Sequence, residues 1–268
     1  MTNIIFYFSG TGNSLAVAKS LAEKLTDTEV ISVSATSENK ILSDYDKIGF
    51  VFPCNYGHPP QSILNFVKNM QTENHPKIFF IVTYAGTYGF ALSDLARLLP
   101  SYSESEVLGF SVRMPGSHIL GYPAFPKFYQ RMLFKRTPKR IDKIAYAIQH
   151  DKPARIKIKN PNSKKKTFFD SLVKSANKLL GVKKIESTEA NFFTMSSCVH
   201  CGICEKLCPV ENITVSSEEV LFGNNCQQCM ACIQWCPQAA ISHPKISAKR
   251  KHYHHPDIKL DDMIRRRN

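Results

Sequence analysis

FSGTGNS, Phe8 to Ser14, follows a short apolar run (Ile4, Ile5, Phe6) and precedes LAVAKSLAEKL. Two glycines, three small hydroxyl residues and an asparagine therefore stand where a strand turns into a helix. Glycine lets backbone approach a ligand closely, and hydroxyls with N–H groups at a helix start make an anion site. The loop is not a Walker loop, because the GK[ST] ending is missing, and it is not G-x-G-x-x-G. It holds no cationic side chain, so an anion there is held by neutral donors and the helix N-terminus. A plain tight turn is the alternative.

Outward from this loop, the first 150 residues alternate apolar runs with amphipathic stretches. Strands are expected at residues 3–8, 29–35, 47–53, 77–84 and 107–114. Helices are expected at 13–25, 60–70 and 90–102, with PKRIDKIAYAIQH (138–150) closing the domain. Several strands are continuous β-branched and aromatic runs, as in a sheet covered on both faces. Alternation of this kind predicts an α/β fold with a doubly wound parallel sheet.

The 268-residue chain has 43% hydrophobic and 21% charged residues, an ordinary globular composition. No apolar run approaches the ~18 residues of a membrane span, so no membrane partner is expected. The N-terminus reads as a strand without a basic leader, which predicts a cytoplasmic protein. Charge is uneven. Residues 1–150 carry 15 Lys/Arg against 11 Asp/Glu, and 151–191 carry 11 against 4. Residues 192–243 carry 1 against 4, and 244–268 carry 8 against 3. An acidic module thus sits between a basic connector (151–191), with an amphipathic helix over 166–181, and a basic tail (244–268) that reads as mobile. The connector is either a solvated tether or a docking surface for an acidic partner.

Eight of nine cysteines lie between Cys198 and Cys236, and only Cys54 stands apart. CVHCGICEKLCPVENI (198–213) and CQQCMACIQWCPQAAI (226–241) align at four cysteines, one proline and the closing isoleucine, with a constant offset of 28. Each copy reads C-x2-C-x2-C-x3-C-P, the run for four-iron clusters whose fourth cysteine serves the other cluster. Cys198, Cys201, Cys204 and Cys236 are expected to hold one [4Fe-4S] cluster, and Cys226, Cys229, Cys232 and Cys208 the second. Zinc is the alternative for such thiolates, although structural zinc favours two separated pairs.

The duplicated run resembles two-cluster bacterial ferredoxins over about 192–243, which implies a small α+β C-terminal domain. Ser9-Gly10-Thr11-Gly12-Asn13-Ser14 resembles the [ST]-x-T-G-N-[ST] loop of flavodoxins. That resemblance implies FMN, with this loop around its phosphate and strand order 2-1-3-4-5 placing the flavin at the β1/β3 switch point. It also implies that Pro53, Asn55, Tyr56 and Gly57 after the third strand line the ring. Thr83, Tyr84, Ala85, Gly86, Tyr88 and Gly89 after the fourth strand are implied as well. For any one tyrosine, ordinary packing is the rival role, and Cys54 is either near the flavin or a small buried hydrophobe. Apart from the basic connector and tail, the chain resembles flavodoxin–ferredoxin fusion proteins of anaerobes. Members tend to carry Asn-Tyr where this chain has Ser117-His118. His118 is therefore open as a proton donor to flavin or as a loop residue without a role.

The expected function is electron transfer between FMN and two [4Fe-4S] clusters, with a redox partner protein of acidic character. A flavin-dependent reductase of a small organic substrate is the rival, with HILGYPAFPKFYQRMLF (118–134) as pocket wall or packing loop, and without obvious helical pattern. Nucleic-acid binding through Lys164–Lys166, Lys249–Lys251 and Arg265–Arg267 is not expected, since no recognition motif accompanies them.

Overall fold

The structure is a computed structural model and describes residues 2–35, 42, 44–72, 74–102, 106–121, 123–152, 154, 156, 191–246 and 251–264. The helix expected at 166–181 lies outside the described residues, as do Lys164–Lys166, Lys249, Arg250 and Arg265–Arg267.

Five strands form one sheet: β1 (Asn3–Tyr7), β2 (Thr28–Ser32), β3 (Lys47–Pro53), β4 (Lys77–Tyr84) and β5 (Val107–Arg113). All neighbours pair parallel in the order β2-β1-β3-β4-β5. Helices α1 (Asn13–Ala22), α2 (Gln61–Asn69), α3 (Ala91–Ala96) and α4 (Lys127–Gln149) flank it. Because successive strand residues face opposite sides, each central strand feeds two cores. Ile4, Phe6, Phe50, Phe52 and Phe80 pack with α2 and α3 on one face. Ile5, Val51, Phe79 and Ile81 pack with α1 and α4 on the other. This explains the continuous apolar runs. At Gly49 a Cβ would sit 2.1 Å from Phe79 Cζ, so glycine leaves the room that the Phe79 ring fills.

Several boundaries differ from expectation; the first helix, expected to reach residue 25, ends at Ala22. The second strand stops at Ser32, where the Ser32 hydroxyl meets Ser34 Oγ at 2.7 Å and accepts from the Ser34 N–H at 3.3 Å. That local bonding draws Val33–Ala35 into a 3-10 turn. The third helix ends at Ala96 and tightens into turns from Leu98 to Leu95 and Leu99 to Ala96 ahead of Pro100. The last helix begins eleven residues before Pro138 and runs through it. Proline reads as a helix start because its missing N–H is harmless there; here Thr137 Oγ1 donates to the Leu133 carbonyl at 3.0 Å within that turn. Residues 127–134 of the aromatic stretch are thus helical, contrary to the sequence reading.

Downstream, β6 (Phe193–Thr194), α5 (Ile203–Leu207), β7 (Ile213–Val215), β8 (Val220–Phe222), α6 (Ala231–Gln234) and β9 (Ile241–Ser242) form a small α+β module. Two antiparallel pairs, β6·β9 and β7·β8, hold it. A final turn of helix, α7 (Leu260–Met263), closes the described chain. No described helix is long and apolar enough to cross a membrane.

Phe50 is fully buried, with ring centroids 5.6 Å from Phe6, 5.7 Å from Phe66 and 5.6 Å from Phe80. Phe50→Ala is expected to cost about 3–5 kcal/mol, seen as a lower denaturant midpoint at unchanged slope.

Candidate cofactor site

Gly12 caps α1 in the left-handed region, φ +88°, and its N–H donates to Ser9 Oγ at 3.1 Å. The Asn13 amide donates to the Pro115 carbonyl at 2.9 Å. Ser14 Oγ lies 2.9 Å from Thr83 Oγ1, which bonds the Phe52 carbonyl at 3.3 Å. These contacts tie the loop after β1 to the C-terminal ends of β3, β4 and β5, beside the β1/β3 point where the strand order reverses. One cavity opens there, lined by Ser9, Gly10, Thr11, Asn13, Ser14, Pro53, Asn55, Tyr56, Thr83, Tyr84 and Ala85. Cys54 and the Met114–His118 loop complete this side. Five expected residues are not in that lining: Gly12 caps α1, and a Cβ on Gly89 would sit 2.6 Å from Gly57 Cα, so those two glycines let their loops touch. Tyr88 packs edge-on to Tyr84 at 5.2 Å, and the Cα of Gly86 faces open space.

The cysteine module repeats itself in backbone as well as sequence. Left-handed residues recur at the 28-residue offset: His200 with Gln228, Gly202 with Met230, Glu211 with Ala239. Alternating handedness turns successive N–H groups to one side, making a nest for sulfur and negative charge. Asn212 N–H donates to Cys208 Sγ at 3.2 Å, and its counterpart Ala240 N–H to Cys236 Sγ at 3.3 Å. Cys198, Cys201, Cys204 and the remote Cys236 line one small apolar cavity with Ile203 and Ile241. Cys226, Cys229 and Cys232 each feel Cys208 electrostatically. Among the described residues, no three Cys, His, Asp or Glu side chains converge tightly enough for a single ion. Burial pushes Cys204 up to about 11 and Cys229 up to about 12, with Cys232 raised as well. These groups are thiols until metal displaces their protons, so cluster assembly releases protons.

Residues 4–142 match the flavodoxin domain family. The chain belongs to that family. Residues 191–249 match the 4Fe-4S dicluster domain, so a flavodoxin domain is followed by a two-cluster ferredoxin domain. Its cofactors are FMN and [4Fe-4S] clusters, and the modules are those of an electron-transfer flavo-iron-sulfur protein. Polyferredoxin protein MvhB of Methanothermus fervidus is 34% identical over 50 residues, 19% of this chain, and the match spans 12% of that protein. Among solved structures, a flavoprotein in complex with FMN from Lactobacillus acidophilus is 18% identical, covering 42% of this chain and 92% of that one, with a TM-score of 0.33. A flavodoxin from the domain Archaea is 15% identical, covering 56% of this chain and all of that one, with a TM-score of 0.35. The donor set fits FMN: neutral hydroxyls, loop N–H groups and a helix N-terminus suit a phosphate.

The other wall of the flavin cavity comes from the dicluster domain: Gln228, Cys229 and Met230. A Cβ on Gly10 would lie 1.9 Å from the Cys229 carbonyl oxygen, so the phosphate loop and a cluster loop are in direct contact. Trp235, the one tryptophan of the chain, is buried and donates from Nε1 to the Gly10 carbonyl at 3.0 Å. Ile119 and Leu120 pack with Phe192, Met230, Ile233 and Ile241. That part of the aromatic stretch is thus a packing loop between domains, while His118 lines the flavin cavity.

The tail read as mobile is, over 251–264, packed onto the phosphate loop. Buried Tyr253 donates to Asn13 Oδ1 at 2.6 Å, and its N–H donates to Gln234 Oε1 at 2.7 Å. The His255 N–H donates to the Thr11 carbonyl at 2.8 Å, Ile258 is buried with Trp235 and Leu15, and Lys19 pairs with Asp262. The HYHH run reads as basic and loose by composition; Tyr253 and the spaced Ile258 and Leu260 were the available signal for docking.

Gly10→Ala is expected to part the two domains, read as a red shift of Trp235 emission together with flavin loss. Tyr253→Phe leaves the buried Asn13 oxygen without its donor, at about 1–3 kcal/mol. It is expected to lower the melting temperature and speed FMN release.

Proposed function

We propose that this protein is a cytoplasmic electron relay in which flavin, the cluster of Cys208, Cys226, Cys229 and Cys232, and the cluster of Cys198, Cys201, Cys204 and Cys236 stand in that order. The observation that carries this reading is Cys229 in the wall of the flavin cavity. The first set of cysteines then faces the flavin. The second faces outward, with Cys201 exposed and the neighbouring Val199 60% exposed. A flavin takes one or two electrons and each cluster passes one, so the pair joins two-electron to one-electron carriers. The chain's own residues hold the groups in place, and Ile203, Ile213, Ile233 and Ile241 keep water from the clusters. Crowded reduced cysteines suit the cytoplasm. A redox partner protein completes the relay at the outer cluster, and basic segments of the chain favour an acidic one.

A second reading, reduction of a small organic substrate at the flavin, draws support from a neighbouring cleft of about 820 Å³ between the domains. This cleft shares Asn55, Tyr56 and Gln228 with the flavin cavity.

Cys201→Ser is expected to slow electron exchange with external one-electron donors at least tenfold, while exchange between flavin and the inner cluster persists. Rapid-mixing absorbance at the flavin and cluster bands separates the two. Unchanged flavin reduction in this variant would mean that electrons enter at the flavin, against the proposed order.

A further inference from the structure

The longest described helix, α4, has an outer face that the flavin and cluster sites do not use. Along it Lys127, Arg131, Lys135, Lys139 and Lys143 recur at four-residue spacing, and all five are exposed. Side chains four apart on a helix are neighbours, and like charges at that spacing destabilise it. The helix carries a single acid, Asp142, which is taken by Lys24 at 2.6 Å. Among the described residues, none of the five cations has an ion pair. The fold thus keeps a row of mutually repelling charges that helix stability does not call for.

Two aromatic rings share that face. Phe128 is 75% exposed and Tyr146 is 53% exposed. They stand about five turns and ~27 Å apart along one line of the helix, with Lys135 and Lys139 between them. The inward side is occupied: Ile141, Ile144 and Ile148 are buried in the core. No apolar face is therefore left to enter a bilayer, as a membrane-surface helix requires. Aromatic rings and arginine are enriched at protein interfaces, and a line of this length suits a standard interface of ~800 Å² per partner. The helix also backs onto the flavin cavity. Thr137 Oγ1 donates to Sδ of Met114, a cavity residue, at 3.9 Å. Phe134 packs edge-on at 4.9 Å against His255, whose N–H holds the Thr11 carbonyl of the phosphate loop.

We propose that the outer face of α4 is the docking surface for an acidic protein that serves the flavin end of the relay, with Phe128 and Tyr146 as apolar anchors and the cations between them setting the register. The inference rests on the relay reading above, in which the flavin end meets its own carrier and the outer cluster another. Carboxylates of the partner meet cations that hold no acid of their own, so docking gains attraction without breaking ion pairs. Encounter is fast at low salt and slows as salt screens the row.

The test is calorimetric binding to the full chain, with FMN and clusters loaded, of oxidised plant-type ferredoxin as a small acidic probe. With every centre oxidised no electrons flow, so the result does not depend on the relay. Lys139→Glu is compared with Lys68→Glu, an equal change of charge at an exposed site on α2, across the sheet. Lys139→Glu is expected to raise Kd at low salt roughly tenfold and to flatten its salt dependence, against less than about twofold for Lys68→Glu. Its melting temperature is expected to hold or rise, because a carboxylate four residues from both Lys135 and Lys143 relieves their repulsion. Phe128→Ser is expected to weaken binding with the salt dependence unchanged. Equal losses in Lys139→Glu and Lys68→Glu overturn the proposal, as does the absence of salt-sensitive binding. A lower melting temperature in Lys139→Glu also overturns it, since lost binding then follows lost structure. So does binding of oligothymidylate, or of phosphatidylserine vesicles, that is tighter than that of ferredoxin and is lost in Lys139→Glu. Failure of the relay reading shows separately, as slow exchange between flavin and clusters on rapid mixing.

Discussion

The phosphate loop and the cluster loop meet at Gly10 and Cys229 with no space for a methyl group, and most of the functional geometry depends on that contact. Any side chain at position 10 would force the two domains apart, moving the flavin cavity from its cysteine wall. Trp235 makes the contact specific, because its buried N–H needs a partner and takes the Gly10 carbonyl. The apolar group of Ile119, Leu120, Phe192, Met230, Ile233 and Ile241 adds undirected burial beside it. Polar fit sets the register of the domains, and apolar area holds them together.

The contact also reassigns side chains that would otherwise belong to one domain. Asn13 joins the Pro115 loop of its own domain to Tyr253 from the far end of the chain. The 251–264 segment thereby stabilises the phosphate loop from outside, with His255 on Thr11 and Lys19 on Asp262. The Asp262 carboxyl is held below its ordinary range, chiefly by its hydrogen bond to Lys19. Its contribution is thus present above the usual carboxylate pKa and is lost as pH falls through the depressed value.

Much of this was legible in the sequence where function demands local chemistry. The 28-residue offset predicted the duplication, and the structure repeats it in left-handed backbone at positions that no composition reveals, such as His200 with Gln228. The strands read correctly because both faces of a parallel sheet are dry, so apolar runs are unbroken. Boundaries failed where a side chain competes with the backbone or a rule has an exception: Ser32 and Ser34 turning the chain, and Pro138 inside a long helix. The tail failed for another reason. A segment rich in Lys and His gives no periodic signal, yet Tyr253, His255, Ile258 and Asp262 anchor it.

By itself, the sequence determined the two domains, their cofactors and the order of the sheet, because glycine-rich loops and C-x2-C-x2-C-x3-C-P runs carry their chemistry within a few residues. Only the tertiary structure decided that Cys229 lines the cavity beside the phosphate loop, that Tyr56 and His118 join Gln228, and that the C-terminal segment covers the phosphate loop. Those contacts link residues 62 to 244 positions apart, and their partners are chosen by burial and hydrogen-bond satisfaction across an interface, which no local pattern records.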